Sequence, residues 1–498
     1  MARKRRRFPP VVSPALIAPL IAVLSCNLFS PADSNSPPEI VLQGPAIDTL
    51  EIGATYRDSG VLATDREDGD LTSAVDTSGE VDPATPGRYT ITYLVEDSKG
   101  ATGKAVRTVW VVDFSIVLKS PSCPGVYDCT LVAYRIDSTM TIPVSCSIRF
   151  GANTTVDVLD DIVVKGTLKI DEGARFRVDS GAALEVVGGT LAVAGSATAN
   201  VRFENYTSGA YWGKGSDRDG WTDRYAILLR SGADDLSSIT HCLIDSATVG
   251  IRVEDYDVKL SGCTFSNCAY AGLFFDKAGP SDSASFVDNV FAGNGTSENF
   301  FPLHLGAPYL SRLPESTVFN GNAVDAVAVE GGRVYRSGTW KNLAVPYAFR
   351  NATTIDNSHG VRITIEPGTD LRFMEGAFLR VADGALIAEG TETDSIRFSN
   401  YTGGVYWGHG HAGSRPRSCY GIEFERYADP NSSLKYCVID SATVAVNIDR
   451  ALVQVSHSTI RNCLLNGIFA SGTANTNIDN ATILFSGNSA TPDILYQL

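Results

Sequence analysis

Two aromatic, glycine-rich segments hold the residues whose types and spacing best suit ligand chemistry. "NYTSGAYWGKG" runs from Asn205 to Gly215, and "NYTGGVYWGHG" from Asn400 to Gly410, a shift of 195 residues. Each offers two tyrosines and a tryptophan: Tyr206, Tyr211 and Trp212, then Tyr401, Tyr406 and Trp407. An aromatic face with a polar tip suits a sugar ring, which presents C–H faces and hydroxyl edges. These six are the candidate ligand-binding residues, and two such sites on one rod would hold a polymer by avidity. The binding reading requires Trp212 and Trp407 to be exposed on the same face. The competing reading is that the aromatics cover a corner of a scaffold, as Trp and Tyr at strand ends commonly do.

The residues that follow each tryptophan differ between the copies. "GKGSDRDGW" brings Lys214, Asp217, Arg218 and Asp219 together, and its "DRDG" resembles a Ca²⁺ loop. "GHGHAGSRPRSCY" has His409 and His411, able to chelate a metal as a pair, with Arg415 and Arg417 beyond. Asp217, Asp219, His409 and His411 are thus the weak metal candidates, and Ca²⁺ is the one cofactor considered. A polysaccharide enzyme needs paired carboxylates, or Ca²⁺ with a basic residue, on one outer face. No nearby carboxylate completes the histidine pair, and a solvated turn explains both loops. No catalytic residues are assigned.

The elements that position these loops repeat with them. Val201–Gly215 matches Ile396–Gly410 at ten of fifteen positions, and "CLIDSATV" (242–249) matches "CVIDSATV" (437–444) at seven of eight. Both matches share the 195-residue shift, so the second half, about 340–498, duplicates the first, about 140–310. A finer step of 21 residues links "CLID" to "CTFS" and "CVID" to "STIR". Asn267, Asn294, Asn462 and Asn488 follow apolar pairs 26 or 27 residues apart within each copy. Short strands, glycine turns and a period in the low twenties describe a solenoid whose coils cannot bury their own faces without neighbours. The stretch "VRITIEPGTDLRFMEGAFLRVADGALIAEGTETDSIRFSN", with "YCVIDSATVAVNI" and "STIRNCLLNGIFA", resembles the right-handed parallel β-helix repeat proteins of bacterial surfaces. That resemblance covers roughly residues 140–498, and the β-helix domain is expected over 114–498. It leaves function open among lyases, glycosidases, adhesins and stalks.

Residues 38–113 read differently. Period-2 runs with a turn about every ten residues give a small antiparallel sandwich. "PPEIVLQG", "EIGATYRDSGVLATDREDGDLTS" and "PGRYTITYLVEDSKGATGKAVRTVWV" resemble the bacterial Ig-like domain also found in pesticidal crystal proteins. The resemblance implies a spacer or adhesive module without a catalytic site. Asp65, Glu67, Asp68 and Asp70 either hold Ca²⁺ or accept backbone N–H groups in turns, and their spacing favours the turns.

The first 25 residues are an address. "MARKRRR" precedes the short apolar run "VVSPALIAPLIAVLS", which ends at Cys26. A small-residue run before a cysteine resembles the bacterial lipobox, which implies cleavage and acylation at Cys26. Asn27 lacks the aspartate of inner-membrane retention, so the same resemblance points to the outer membrane or cell surface. Residues 26–37 then form a tether. Removing five basic residues takes the chain from −15 to −20 (36 minus 56). Such a surface repels nucleic acid and anionic headgroups, which leaves the lipid anchor as the membrane contact. Of the nine remaining cysteines, Cys123, Cys129 and Cys146 lie where a disulfide would pin the start of the helix. Cys242 and Cys263 occupy one place in successive coils, close enough for a disulfide, but the serine at the equivalent position 458 favours a ladder of buried thiols.

The expectation is an all-β chain: a signal peptide, a tether, an Ig-like sandwich and a long parallel β-helix built from two duplicated halves. It is expected to be lipid-anchored and to serve adhesion or polysaccharide binding. The alternatives are a β-helix polysaccharide lyase or glycosidase, and a purely structural stalk.

Overall fold

The structure, a computed structural model, describes residues 35–113, 117–129, 133–207, 209–215, 223–230, 232–233, 236–356, 360–411, 414–472 and 477–497. Cys26, Asp217, Arg218 and Asp219 lie outside the described residues. The chain divides after Val112 into two units. Among the described residues no helix is long and apolar enough to cross a membrane.

In the first unit, alternation along Gly87–Glu96 sends Ile91, Tyr93 and Val95 inward, as a half-buried strand requires. This strand pairs antiparallel with Thr102–Val112 and with Asp76–Ser78, and Ile47–Glu51 joins Thr102–Val112 in parallel. Glu39–Leu42, Val61–Asp65 and Gly69–Asp70 form a second sheet. The core of Ile91, Tyr93 and Val109 takes Ile40, Val61 and Leu50 at its edges. Asp65 accepts the backbone N–H groups of Glu67 and Asp68, both at 2.8 Å, and Asp70 accepts that of Thr72 at 2.9 Å. Asp68 binds Ser98 through its N–H and its hydroxyl. These three carboxylates therefore hold turns.

The second unit is a parallel β-solenoid. One sheet of 14 strands runs its length, from Met140–Ile142 to Leu484–Ser486. In the first half it is flanked by an eight-stranded sheet, Ala133–Ile136 to Val318–Asn320, and a seven-stranded sheet, Gly125–Cys129 to Gly279–Pro280. In the second half an eleven-stranded sheet of two arms, joined by the long strand Leu379–Glu389, replaces both. The 21-residue step is one coil, since Leu243 pairs with Thr264 and Val438 with Thr459. Inward phenylalanines stack coil on coil, Phe176 on Phe203 at 4.9 Å and Phe265 on Phe291 on Phe319 at 5.0 and 5.2 Å. Asparagine stacking is present but shifted. Thr264 pairs with Val290, so Asn294 stands over Cys268, not Asn267. Its side chain receives the Cys268 N–H at 3.1 Å and donates to Asn322 Oδ1 at 2.9 Å. Asn267 instead turns the corner with φ 52° and donates to Asp245.

Cys123 and Cys146 form a disulfide near the start of the solenoid, with Cα atoms 5.5 Å apart. Cys242, Cys263, Cys268, Cys437 and Cys463 are buried free thiols, and burial raises the pKa of each. Such thiols behave as small hydrophobes.

The two halves are not stacked in phase. Val201–Asn205 belongs to the eight-stranded sheet, one face before the long sheet, whereas its duplicate Ile396–Asn400 lies in the long sheet itself. The following strands behave alike: Ile227–Leu229 lies in the long sheet, and Ile422–Ala428 in the eleven-stranded one. From Ile227–Leu229 to Ile396–Asn400 the long sheet advances seven strands. The 195-residue repeat is therefore seven coils plus one face of a three-faced coil.

Candidate ligand-binding loops and the junction cavity

Each aromatic loop is a clasp onto the next coil. Trp212 forms a parallel bridge with Ala247, and Trp407 with Ala442. The indole N–H groups donate to the carbonyls of Asp245 and Asp440, each at 2.8 Å. Thr248 and Thr443 return the contact, donating their backbone N–H groups to the tryptophan carbonyls at 2.8 and 2.9 Å. Their hydroxyls donate to the carbonyls of Lys214 and His409 at 2.9 and 2.8 Å. Gly213 and Gly408 supply φ of 99° and 102° just after each indole, a region that L side chains avoid. The repeated "IDSATV" and the repeated "YWG" are thus the two halves of one contact.

This corrects the expectation that the indoles face solvent. Trp212 and Trp407 are 0% exposed. Trp407 stacks on inward Phe373 at 4.2 Å, and Trp212 on Phe203 at 6.1 Å. Neither can stack on a sugar. Tyr206, Tyr211 and Tyr406 keep exposed rings (37, 42 and 37%), and Tyr401 is half-buried. The expectation of one shared face also fails. The first loop joins the eight-stranded sheet to the long sheet, and the second joins the long sheet to the eleven-stranded one, so they leave opposite edges of the long sheet.

Beyond the tryptophans the copies diverge, as the sequence shows. Lys214 Nζ pairs with Asp161 at 2.7 Å. His409 Nδ1 donates to the Ser418 carbonyl at 2.8 Å, and its ring stacks on Tyr420 at 4.9 Å. The imidazole is thus oriented by its loop, and His411 is exposed. Among the described residues no three His, Cys, Asp or Glu side chains gather to hold a metal.

A better enclosed site lies where the halves meet. The outward positions of successive strands of the long sheet run Phe274, His304, Ala328, Ala348, Arg372. The two alanines are fully buried and, with Phe301, take the packing of Val324, Met374 and Tyr401. Over this cluster, with Phe300 at its edge, opens a cavity of about 1100 Å³. Tyr401 packs its ring 5.6 Å from Phe301. The charged groups lining it are Glu298, Asp325, Arg350 and Arg372. Arg350 pairs with Glu330 at 2.8 Å and Arg372 with Asp370 at 2.8 Å, while Asp325 accepts from the Asn322 side chain at 2.6 Å. Of the six aromatic candidates this site recruits Tyr401 alone. Phe300, Phe301 and Val324 were missed because they belong to no repeated motif, and Met374 because a single methionine within a repeated stretch carries no signal of its own.

His304 forms the floor beside this cavity and is fully buried. It lies 2.9 Å from Glu330 and is stacked on Phe274 and edge-on to Phe301. Burial depresses its pKa more than Glu330 raises it, with Arg350 acting in the same direction as burial. A histidine neutral in the fold but protonated when unfolded lowers stability as pH falls below its unfolded value of about 6.5. Solenoid stability is therefore expected to decline between pH 7.5 and 5.5. The His304→Gln protein should lose part of that slope in chemical denaturation at stepped pH, and an unchanged slope would refute the assignment.

The sandwich fold agrees with a direct comparison. Residues 40–111 match the family model described as "Bacterial surface protein, Ig-like domain". The first unit is a bacterial-surface Ig-like domain. Among solved structures, that of a lipoprotein from Bacteroides thetaiotaomicron shares 31% identity over 17% of this chain and 42% of its own, with a TM-score of 0.16. The chain thus spans less than half the length of that neighbour. No curated protein matches the chain. The Ig-like domain and the β-solenoid after it make a surface-protein architecture.

Proposed function

We propose that this is an exported, lipid-anchored surface protein in which Cys26 carries the lipid, the Ig-like domain acts as a spacer in chain order, and the solenoid binds polysaccharide. The observation that carries this reading is the junction cavity. It combines a half-open volume slightly above that of ordinary ligand sites with the partly exposed rings of Phe300 and Tyr401 and a rim of hydrogen-bonding side chains. Aromatic walls with polar edges are the chemistry of saccharide recognition. Asp325 is engaged within its own turn, which favours binding over acid–base hydrolysis at this site.

The test is retention of the full chain on a panel of soluble and insoluble polysaccharides. Tyr401→Ala should weaken retention roughly tenfold, the equivalent of about 1.4 kcal/mol. Cys26→Ser should move the chain from the membrane fraction to the soluble one. Retention equal to wild type in Tyr401→Ala would remove the junction cavity from the reading, and sugar release or unsaturated uronide products would replace binding with catalysis.

A further inference from the structure

A second cavity, of about 710 Å³, opens at the other end of the same outward row of the long sheet. Its origin lies in the backbone. The seven-stranded sheet stops at Gly279–Pro280, and the next segment on that side, Ala307–Arg312, is a 3₁₀ turn in place of a strand. A 3₁₀ turn bonds within itself and does not continue the ladder. The wall resumes at Gly332–Val334, and the hollow between is lined by Phe274, Tyr309, Tyr335 and the backbone of Gly306, Gly331 and Gly332. Tyr309 lies flat on Gly279, where an added Cβ would meet its ring at 2.2 Å. Tyr335 is 42% exposed.

The two hollows are separated by little more than His304. Its ring touches Phe274, which lines the second cavity, and Phe301, which lines the first. Glu330 belongs to the second and bonds Arg350 of the first. From Phe274 to Arg372 the row spans four strand steps, or about 19 Å. The charges are also telling. Every cation lining either hollow has a carboxylate within 4 Å: Arg252 with Asp276 at 2.6 Å, Lys277 with Asp255 at 3.9 Å, Arg333 with Asp356 at 3.2 Å, Arg350 with Glu330, and Arg372 with Asp370. A uronate or sulfated sugar would have to displace one of these partners, in a chain whose net charge already opposes it.

We infer that the two hollows are paired subsites for one neutral glycan chain lying along the solenoid axis, with Tyr335 and Tyr309 gripping one end and Tyr401 the other. This rests on the polysaccharide reading proposed above and adds to it the second subsite, the axial direction and the exclusion of acidic polymers.

The experiment is calorimetric titration of the full chain with β-1,4-linked gluco- and manno-oligosaccharides, from disaccharide to octasaccharide. Oligogalacturonates of the same lengths are run in parallel, at low and high salt. Wild type should show affinity rising at least tenfold once the oligomer is long enough to reach both hollows, with little salt dependence and no uronate binding. Tyr335→Ala, a change at an exposed ring, should abolish the rise with length. Tyr401→Ala should weaken all lengths. Retained length dependence in Tyr335→Ala overturns the paired subsites, and salt-sensitive binding of oligogalacturonate overturns the neutral class. Wild type that binds neither series overturns the polysaccharide reading itself, whereas an effect of Tyr335→Ala without one of Tyr401→Ala overturns only the junction cavity's share in it.

Discussion

Replacing Trp407 or Trp212 with alanine should destabilise the solenoid by about 3–5 kcal/mol, as removal of a fully buried aromatic does. The loss has two parts. The indole fills the space against Phe373 or Phe203, and its N–H satisfies the carbonyl of Asp440 or Asp245. The phenylalanine variants keep the first part and forgo the second, so they should cost less, about 1–2 kcal/mol. Coils contact only their neighbours, so the damage should be local. Hydrogen exchange should accelerate at 440–444 in Trp407→Ala and at 245–249 in Trp212→Ala. An unchanged melting curve with weakened polysaccharide retention would mean that the indoles bind ligand, and would overturn the clasp.

Arg107→Ala should remove much of the stability of the Ig-like domain within the intact chain. The guanidinium is 0% exposed and donates to Tyr93 Oη at 3.1 Å and to the carbonyls of Pro45, Gln43 and Gly60 at 3.0, 2.7 and 3.0 Å, with Asp58 3.2 Å away. Removing one partner from such a buried set costs about 3–5 kcal/mol, against a total of roughly 4–11 kcal/mol for a domain of this length. Lysine would not rescue it, because one ammonium cannot reach acceptors arranged for a planar fork. Scanning calorimetry of the full chain should show the domain's transition lost and that of the solenoid unchanged. A surviving transition within a few degrees of wild type would show that these bonds contribute little.

Much of the fold is legible before any coordinates. Alternation along Gly87–Glu96 and the 21-residue step from Cys242 to Cys263 each express a strand period that burial enforces. The clasp was half visible, since "YWG" and "IDSATV" repeat at one shift, as two surfaces in contact would. What hid their relation is that a parallel pairing partner can lie any number of residues away. The phase of the duplication was hidden for a similar reason. Connections between strands differ widely in length along the solenoid, from three residues between Ile142 and Cys146 to 21 between Asn205 and Ile227, so residue count does not give coil count. The junction cavity was the least visible part. Phe300 and Phe301 lie in a stretch where the repeat lapses, and "APYLSR", with its proline, was a local sign of the break.

The one-face offset has a consequence for how such a rod grows. Duplication here acts as a screw operation whose turn is not whole, so each added copy rotates its decoration by a third of the circumference. A third copy would point its aromatic loop along the remaining edge, and a fourth would restore the first. At the seam the long sheet of 14 strands runs on unbroken, while both flanking sheets stop and the eleven-stranded one begins. On this view the hollows at the seam are the scar of an out-of-phase duplication, and a concave site arose on a rod without any loop having to be inserted to build it.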